Sequence, residues 1–277
     1  MRLRTVRESY RAGQVFEFIP LGDSHLGSAN SDEKALQKWI DRIHDNPLAR
    51  WIGTGDLVES VAPDDPRWNP KDVNPDIDLK DQAEIAMWYA DKLLDTFGPI
   101  MEKCWSLNDG NHEDKFNARY RCNLYKQVCR QLGYQLGPNQ LYQEWCSGTR
   151  VVFEDANHHR CSLKIYQQHG WQSGRKDGAK VNGLDDLIAT QEGYDIYLVA
   201  HSHSRLLKTH SALVPIQTFD DIANHEVYAG HTASFLRTYQ MNKVGYGEKK
   251  GFPSVSIKPI RFTLTPTQHG VEIEGTL

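Results

Sequence analysis

The chain has 277 residues, 39% of them hydrophobic and 25% charged, with a formal net charge of −4 and a pI near 6.3. Such a composition supports a sizeable core and argues against a protein that coats nucleic acid non-specifically, which tends to be basic. A nuclease stays open, since bound divalent ions and local Lys/Arg clusters set the field at a site. The five cysteines (Cys104, Cys122, Cys129, Cys146 and Cys161) are odd in number and form no CxxC pair. They read as reduced thiols of a cytoplasmic protein.

Arg2, Arg4, Arg7 and Arg11 give the N-terminus the charge of a signal peptide, but no unbroken apolar segment follows. Neither a secretory signal nor a membrane span is therefore expected. Val15 to Gly27, VFEFIPLGDSHLG, is an apolar run ending in a glycine-bounded loop. It reads as a buried strand that delivers Asp23 and His25 from its C-terminal end, the edge of an α/β sheet where ligands are held.

Ser31 to His44 follows with Leu36, Trp39, Ile40 and Ile43 on one helical face, capped by Ser31 or Asp32. As the crossover to the next strand, it makes the two strands parallel. Ala49 to Asp56, ARWIGTGD, repeats the strand-to-loop pattern and delivers Asp56. Ala62 to Asp78 is rich in Pro and Asp, with an exposed-looking Trp68. That segment reads either as a surface loop or as a rim over the site. Leu79 to Phe97 is helical, with Ile85, Trp88, Leu93 and Leu94 expected inside.

Cys104 to Glu113, CWSLNDGNHE, presents Asn111 and His112 after Gly110. A second helix is expected over Asp114 to Leu132, with Cys122 and Cys129 as packing residues. Its Arg119, Arg121, Lys126 and Arg130 suit a solvated face or a nucleic-acid contact. Ser162 to Gly170 delivers His169, and Tyr194 to His203 delivers His201 and His203. Between these two blocks, the glycine-rich loop with Gly174, Arg175 and Lys176 suits either a plain connection or phosphate binding. From Arg205 the texture turns to short β-rich runs, which suggests an antiparallel-leaning second sheet packed on the first. His44, His158, His159, His210, His225 and His269 lack motif context and read as structural or surface. His231, in AGHTA, imitates the last block without its second histidine.

Five strand-end blocks thus supply two Asp, one Asn and four His as ligands, with His112 beside them. One zinc ion takes about four ligands, so the set fits a pair of five- or six-coordinate ions sharing a carboxylate.

The ordered set GDSH, GD, GNHE, H and HSH resembles the calcineurin-like metallophosphoesterases, a family that includes the nuclease of the double-strand-break repair complex. The one departure is Ala200, where the family's last block carries Gly. WIGTGDLVESVAPDDPRW, QHGWQSGRKDGAKVNGLDDL and SFLRTY are similar to a narrower branch often encoded by phages and integrated elements. The resemblance implies a four-layer αββα sandwich of two mixed β-sheets flanked by helices. No Pro/Gly/Ser-rich linker divides the chain and the ligand blocks run from residue 22 to residue 203, so one domain over residues 1–277 is expected, with 57–103 as an insertion. It implies that Asp23, His25 and His203 bind one ion, that Asn111, His169 and His201 bind a second, and that Asp56 bridges them. His112 is left to assist the leaving group, with Asp109 or Glu113 as candidates to tune it. The ligand types suit Mn²⁺, Fe, Zn or Ni, with Mn²⁺ the expected activator. The expected activity is phosphodiester hydrolysis, with DNA as a substrate. The alternatives are a phosphomonoesterase, a cyclic-nucleotide phosphodiesterase, or a non-catalytic scaffold, the last disfavoured because no ligand position is lost.

Overall fold

A computed structural model of the chain describes residues 1–78, 81–137, 139–170, 176–215, 222–241, 246–249 and 251–277. The first half runs β1 (Arg2–Ser9), β2 (Phe16–Leu21), α1 (Glu33–Asp45), β3 (Ala49–Gly53), α2 (Pro75–Asp78), α3 (Gln82–Phe97) and β4 (Cys104–Asn108). After it come α4 (Asn111–Tyr120), α5 (Leu124–Gln131), β5 (Tyr142–Glu144), β6 (Cys146–Glu154), β7 (Arg160–Gln168), α6 (Asp177–Thr190) and β8 (Ile196–Val199). The chain closes with β9 (Arg205–Pro215), β10 (Ile222–Thr232), α7 (Tyr246–Lys249), β11 (Arg261–Pro266) and β12 (Val271–Thr276).

Local chemistry sets the helices that bracket the first strands. The Asp32 carboxylate accepts the Ala35 amide at 3.1 Å and caps α1, which buries Leu36, Ile40 and Ile43 along one face. Asp81 and Glu84 form a reciprocal capping box at the start of α3. β2 and β3 are parallel, as a crossover through α1 requires. Pro20 is tolerated inside β2 because pairing with β11 ends at Phe18, so no ladder on that side needs its missing N–H.

Among the described residues two six-stranded sheets result, in the orders β12-β11-β2-β3-β4-β5 and β1-β6-β7-β8-β10-β9. Adjacent residues on each strand serve opposite faces. Phe16, Phe18, Ile52, Trp105, Leu163, Ile165, Ile196 and Leu198 join one core between the sheets. Ile19, Leu21 and Trp51 belong instead to the core shared with α1, α3 and α5. Tyr166, Tyr197 and Val199 pack with Leu184 and Leu187 of α6. The layers are therefore helix, sheet, sheet, helix: the expected αββα sandwich of two mixed sheets. Phe18 stacks between Trp105 and Phe262, with centroids 5.2 and 5.7 Å away. Each such side chain contributes about 1.5–3 kcal/mol by burial.

One strand was not anticipated, and three local expectations are corrected. β1 is a strand, paired in parallel with β6 and alternating half-buried with exposed residues. Its inward Glu8 binds Arg50 and Trp105, so the charges of this segment serve tertiary pairing. The helix expected over Asp114 to Leu132 is two helices, broken where Arg121 turns left-handed (φ 53°) and Asn123 caps α5. The β-rich C-terminal runs do not make a sheet of their own. β9 and β10 extend the sheet of β6 to β8, whereas β11 and β12 edge the sheet of β2, and residues 255–260 are not strand. Trp68 is partly buried against the helical core. Leu79 and Lys80, where a helix was expected to begin, lie outside the described residues. Among the described residues, no helix is long and apolar enough to cross a membrane.

Candidate metal centre

Three blocks leave the C-terminal ends of β2, β3 and β4 in one sheet, and two leave β7 and β8 in the other. The stacked sheets bring the five loops together. Nε2 of His203 lies 3.6 Å from Asp23 Oδ1 and 3.2 Å from His25 Nε2. Nε2 of His169 lies 3.1 Å from Asp56 Oδ2 and 3.0 Å from Asn111 Oδ1. Three overlapping groups result: Asp23, His25 and His203; His25, Asp56 and His112; and Asp56, His169 and His201, each with its ligand atoms within 4.8 Å of one another. All seven expected ligands converge, and among the described residues Asp56 is the carboxylate that belongs to two groups.

The loops are held in strained backbone. Asp23, His25, Asp56, His201 and His203 all have positive φ, between 47° and 63°. Each costs roughly 1–3 kcal/mol and persists only where the surroundings impose it. Cross-loop hydrogen bonds do so, among them Asp23 N–H to the Gly55 carbonyl at 3.0 Å and His25 N–H to that of Asp56 at 3.0 Å. Gly55 (φ 91°) faces Gly110, where a Cβ would meet Asp56 Oδ1 at 2.1 Å. The glycines of the GD and GNHE blocks are what let these two loops touch.

Glu113 explains why GNHE ends in an acid. Its buried carboxylate accepts the amides of Asp56 and Gly110, each at 2.9 Å, of Val58 at 3.1 Å, and the Tyr125 hydroxyl at 2.9 Å. It staples two ligand loops. Asp109 is engaged by the Tyr142 hydroxyl, and burial pushes its carboxyl up to about 7. Neither has a bond to the His112 ring among the described residues, which corrects the expectation that one of them tunes it.

The residue in that place is Glu59, which the sequence reading missed. Its carboxylate lies 2.9 Å from His25 Nδ1, and its backbone carbonyl accepts from Nδ1 of His112. The Thr54 carbonyl serves His169 Nδ1 in the same way at 2.9 Å. Each of these rings therefore has Nδ1 fixed and turns Nε2 to the site, the arrangement that orients metal-binding histidines. The available signal was an acid three residues after Asp56, in GDLVE.

Glu59→Ala is expected to weaken Mn²⁺ binding by about 10–100-fold, the usual effect of removing the group behind a ligating histidine. Glu59→Gln should recover most of this, because its amide oxygen still accepts from Nδ1. Isothermal titration checks it, and equal affinities in all three proteins would exclude the positioning role.

The charge distribution calls for cations. Asp23 is fully buried, and neither carboxylate oxygen accepts a hydrogen bond of normal geometry among the described residues; His203 Nε2 stands off at 3.6 Å. Burial drives its carboxyl up to about 7, against the pull of His169. Burial also acts on Asp56, but His169 and His112 outweigh it and hold it well below the usual carboxylate range. Burial lowers His25 and His169, yet Glu59 lifts the first to about 9 and Asp56 the second to about 10. His201 is pushed down to about 4, His203 well below its ordinary value and His112 to a lesser degree, with burial the first cause for all three. A desolvated carboxylate without a hydrogen bond is costly, and two imidazole nitrogens facing each other at 3.2 Å leave one lone pair without its own proton donor. Divalent cations satisfy both, so the donor set fits them.

The remaining expected residues fall elsewhere. Lys176 is exposed ahead of α6, whereas Gly174 and Arg175 lie outside the described residues. His231 is buried and bonds to Ser202, 2.8 Å away and between two expected ligands, without joining a ligand group. The other six histidines are exposed.

No family model and no curated protein matches the chain. Among solved structures it is similar to a conserved uncharacterized protein, described as a predicted phosphoesterase, from Streptococcus pneumoniae TIGR4. The identity is 13% over 96% of this chain and 100% of that one, with a TM-score of 0.34. It is also similar to the calcineurin-like phosphoesterase YfkN from Bacillus subtilis, at 12% identity over 95% of this chain and 90% of that one, with a TM-score of 0.40. Likeness at this level decides neither activity nor substrate, which rest on the residues themselves.

Proposed function

We propose that the chain is a dinuclear-metal phosphoesterase that hydrolyses phosphodiester bonds, with DNA as a substrate. The observation that carries this is the Asp23 carboxylate, buried with neither oxygen in a hydrogen bond of normal geometry among the described residues and facing the imidazoles of His25 and His203. In this reading Asp23, His25 and His203 hold one ion, Asn111, His169 and His201 a second, and Asp56 both. Carboxylate, amide and imidazole donors without a thiolate suit Mn²⁺. The cations supply charge neutralisation for the phosphoryl oxygens and an acidified water.

The protein's own part is to hold this anionic, strained cradle fixed and to place His112 beside it. With Nδ1 donated to the Glu59 carbonyl, Nε2 faces the site, and in the doubly protonated imidazolium it would give its proton to the departing oxygen. DNA as substrate and the phage-type branch are supported by the sequence resemblance. A cytoplasmic setting is supported by the five free thiols.

Hydrolysis of bis-p-nitrophenyl phosphate, p-nitrophenyl phosphate, cyclic nucleotides and single- and double-stranded DNA with Mn²⁺ tests the proposal. Diester and DNA cleavage abolished by chelation is expected. Cleavage of the monoester alone would point to the phosphomonoesterase alternative, and cleavage of cyclic nucleotides alone to the cyclic-nucleotide phosphodiesterase. No turnover on any of them would overturn the proposal.

A further inference from the structure

α4 starts at the metal centre with Asn111 and His112 and then runs away from it, with Lys115 and Arg119 at the i+3 and i+7 positions from His112. That spacing keeps them on one face, and seven residues carry the face about 10 Å along the helix. The segment expected to be either loop or rim docks against it. The Asp64 carbonyl accepts from Arg119, and the Asp64 carboxylate lies 3.4 Å from the same guanidinium. Between segment and helix lies an open cavity of about 560 Å³ lined by Asp65, Pro66, Arg67, Lys115, Ala118 and Arg119.

Arg67 is fixed there as a rigid fork. The Asp65 carboxylate accepts its backbone amide at 2.9 Å, Nε at 3.0 Å and Nη2 at 2.8 Å, while Nη1 has no partner among the described residues. Burial opposes its charge, but Asp65, then Glu59 and Asp56, hold it cationic, so it stands within electrostatic reach of the centre. Lys115 is exposed and makes no bond among the described residues. Three cations against Asp64 and Asp65 leave the cavity positive in a chain of net charge −4. The basic residues further along behave otherwise: Arg121 ends the helix, and Lys126 lies over the Tyr142 ring at 5.7 Å.

We infer that this groove binds a second phosphate group of the substrate, about one to three nucleotides from the bond held at the metals. The inference rests on the phosphodiesterase reading and narrows it to substrates with more than one phosphate. A lone phosphoryl group would be neutralised at the metals, so cations about 5–10 Å along the helix would act on remote parts of the substrate. Along one strand that distance spans about three nucleotides at ~3.4 Å each.

The test compares the wild type with Lys115→Glu and with Lys115→Ala/Arg119→Ala. Binding of a fluorescein-labelled hexathymidylate and of tripolyphosphate is followed on metal-free protein, so this arm stands whether or not turnover is seen. Hexathymidylate affinity should fall about 10-fold in both variants. The slope of log K against log salt should shrink by about 0.7 per cation removed. Metal-loaded variants should lose far more kcat/KM on an oligonucleotide than on bis-p-nitrophenyl phosphate. A matching loss of tripolyphosphate affinity would extend the groove to small polyphosphates, and a loss confined to hexathymidylate would assign it to polynucleotides. Unchanged affinity for both anions in Lys115→Glu, or equal losses on the two ester substrates, would overturn the inference.

Discussion

Asp56→Asn is expected to lower turnover by about 10²–10³-fold, the scale of losing one preorganised electrostatic group at a reaction centre, and to lower metal content with it. Asp56 stands in two ligand groups, Oδ2 lies 3.1 Å from His169 Nε2, and Oδ1 accepts the backbone amide of His112 at 2.9 Å. One oxygen therefore meets the candidate ligand His169 while the other seats the loop that carries His112. Asparagine keeps the size but removes the charge that answers His169 and His25. Changing a ligand that belongs to one group, such as His201, should leave more activity. Steady-state kinetics and elemental analysis on the same preparations check this. Full occupancy with near-normal turnover in Asp56→Asn would mean that Asp56 is no bridge.

His112→Asn should behave in the opposite way on metal, keeping the ions while losing about 10²–10⁴-fold in rate. The loss should depend on the leaving group. p-Nitrophenolate departs without a proton, so an aryl ester should suffer less than a nucleotide ester. The geometry makes this a real test, since the His112 ring falls within 4.8 Å of ligand atoms of His25 and Asp56. Loss of metal in His112→Asn would make it a ligand, and equal losses on both esters would replace proton donation by electrostatic stabilisation.

The candidate ligands were legible because each sits at the end of an apolar run, with a glycine beside it in four of the five blocks and Ala200 in the fifth, and these are local signals. α1 was legible for the same reason: its apolar spacing and its cap lie within 14 residues, Asp32 to Asp45. What escaped depends on pairing across the fold. β1 alternates charges that make sense only once Glu8 meets Arg50 and Trp105. The break at Arg121 carries no glycine to announce a left-handed turn. The C-terminal strands look alike in sequence, and their division between the sheets is decided by partners far along the chain. Glu59 looks like one more loop acid until His25 folds over it. The segment after Asp56 was ambiguous because its composition suits either a loop or a rim. Asp64 packs it on α4 through Arg119 and Tyr120, contacts that local composition does not announce.

The most direct measurement is the metal-to-chain ratio by elemental analysis, after the purified protein is loaded with Mn²⁺ and excess ion is removed by gel filtration. Two ions per chain is the predicted result, and saturation at one ion or at none would contradict a dinuclear centre.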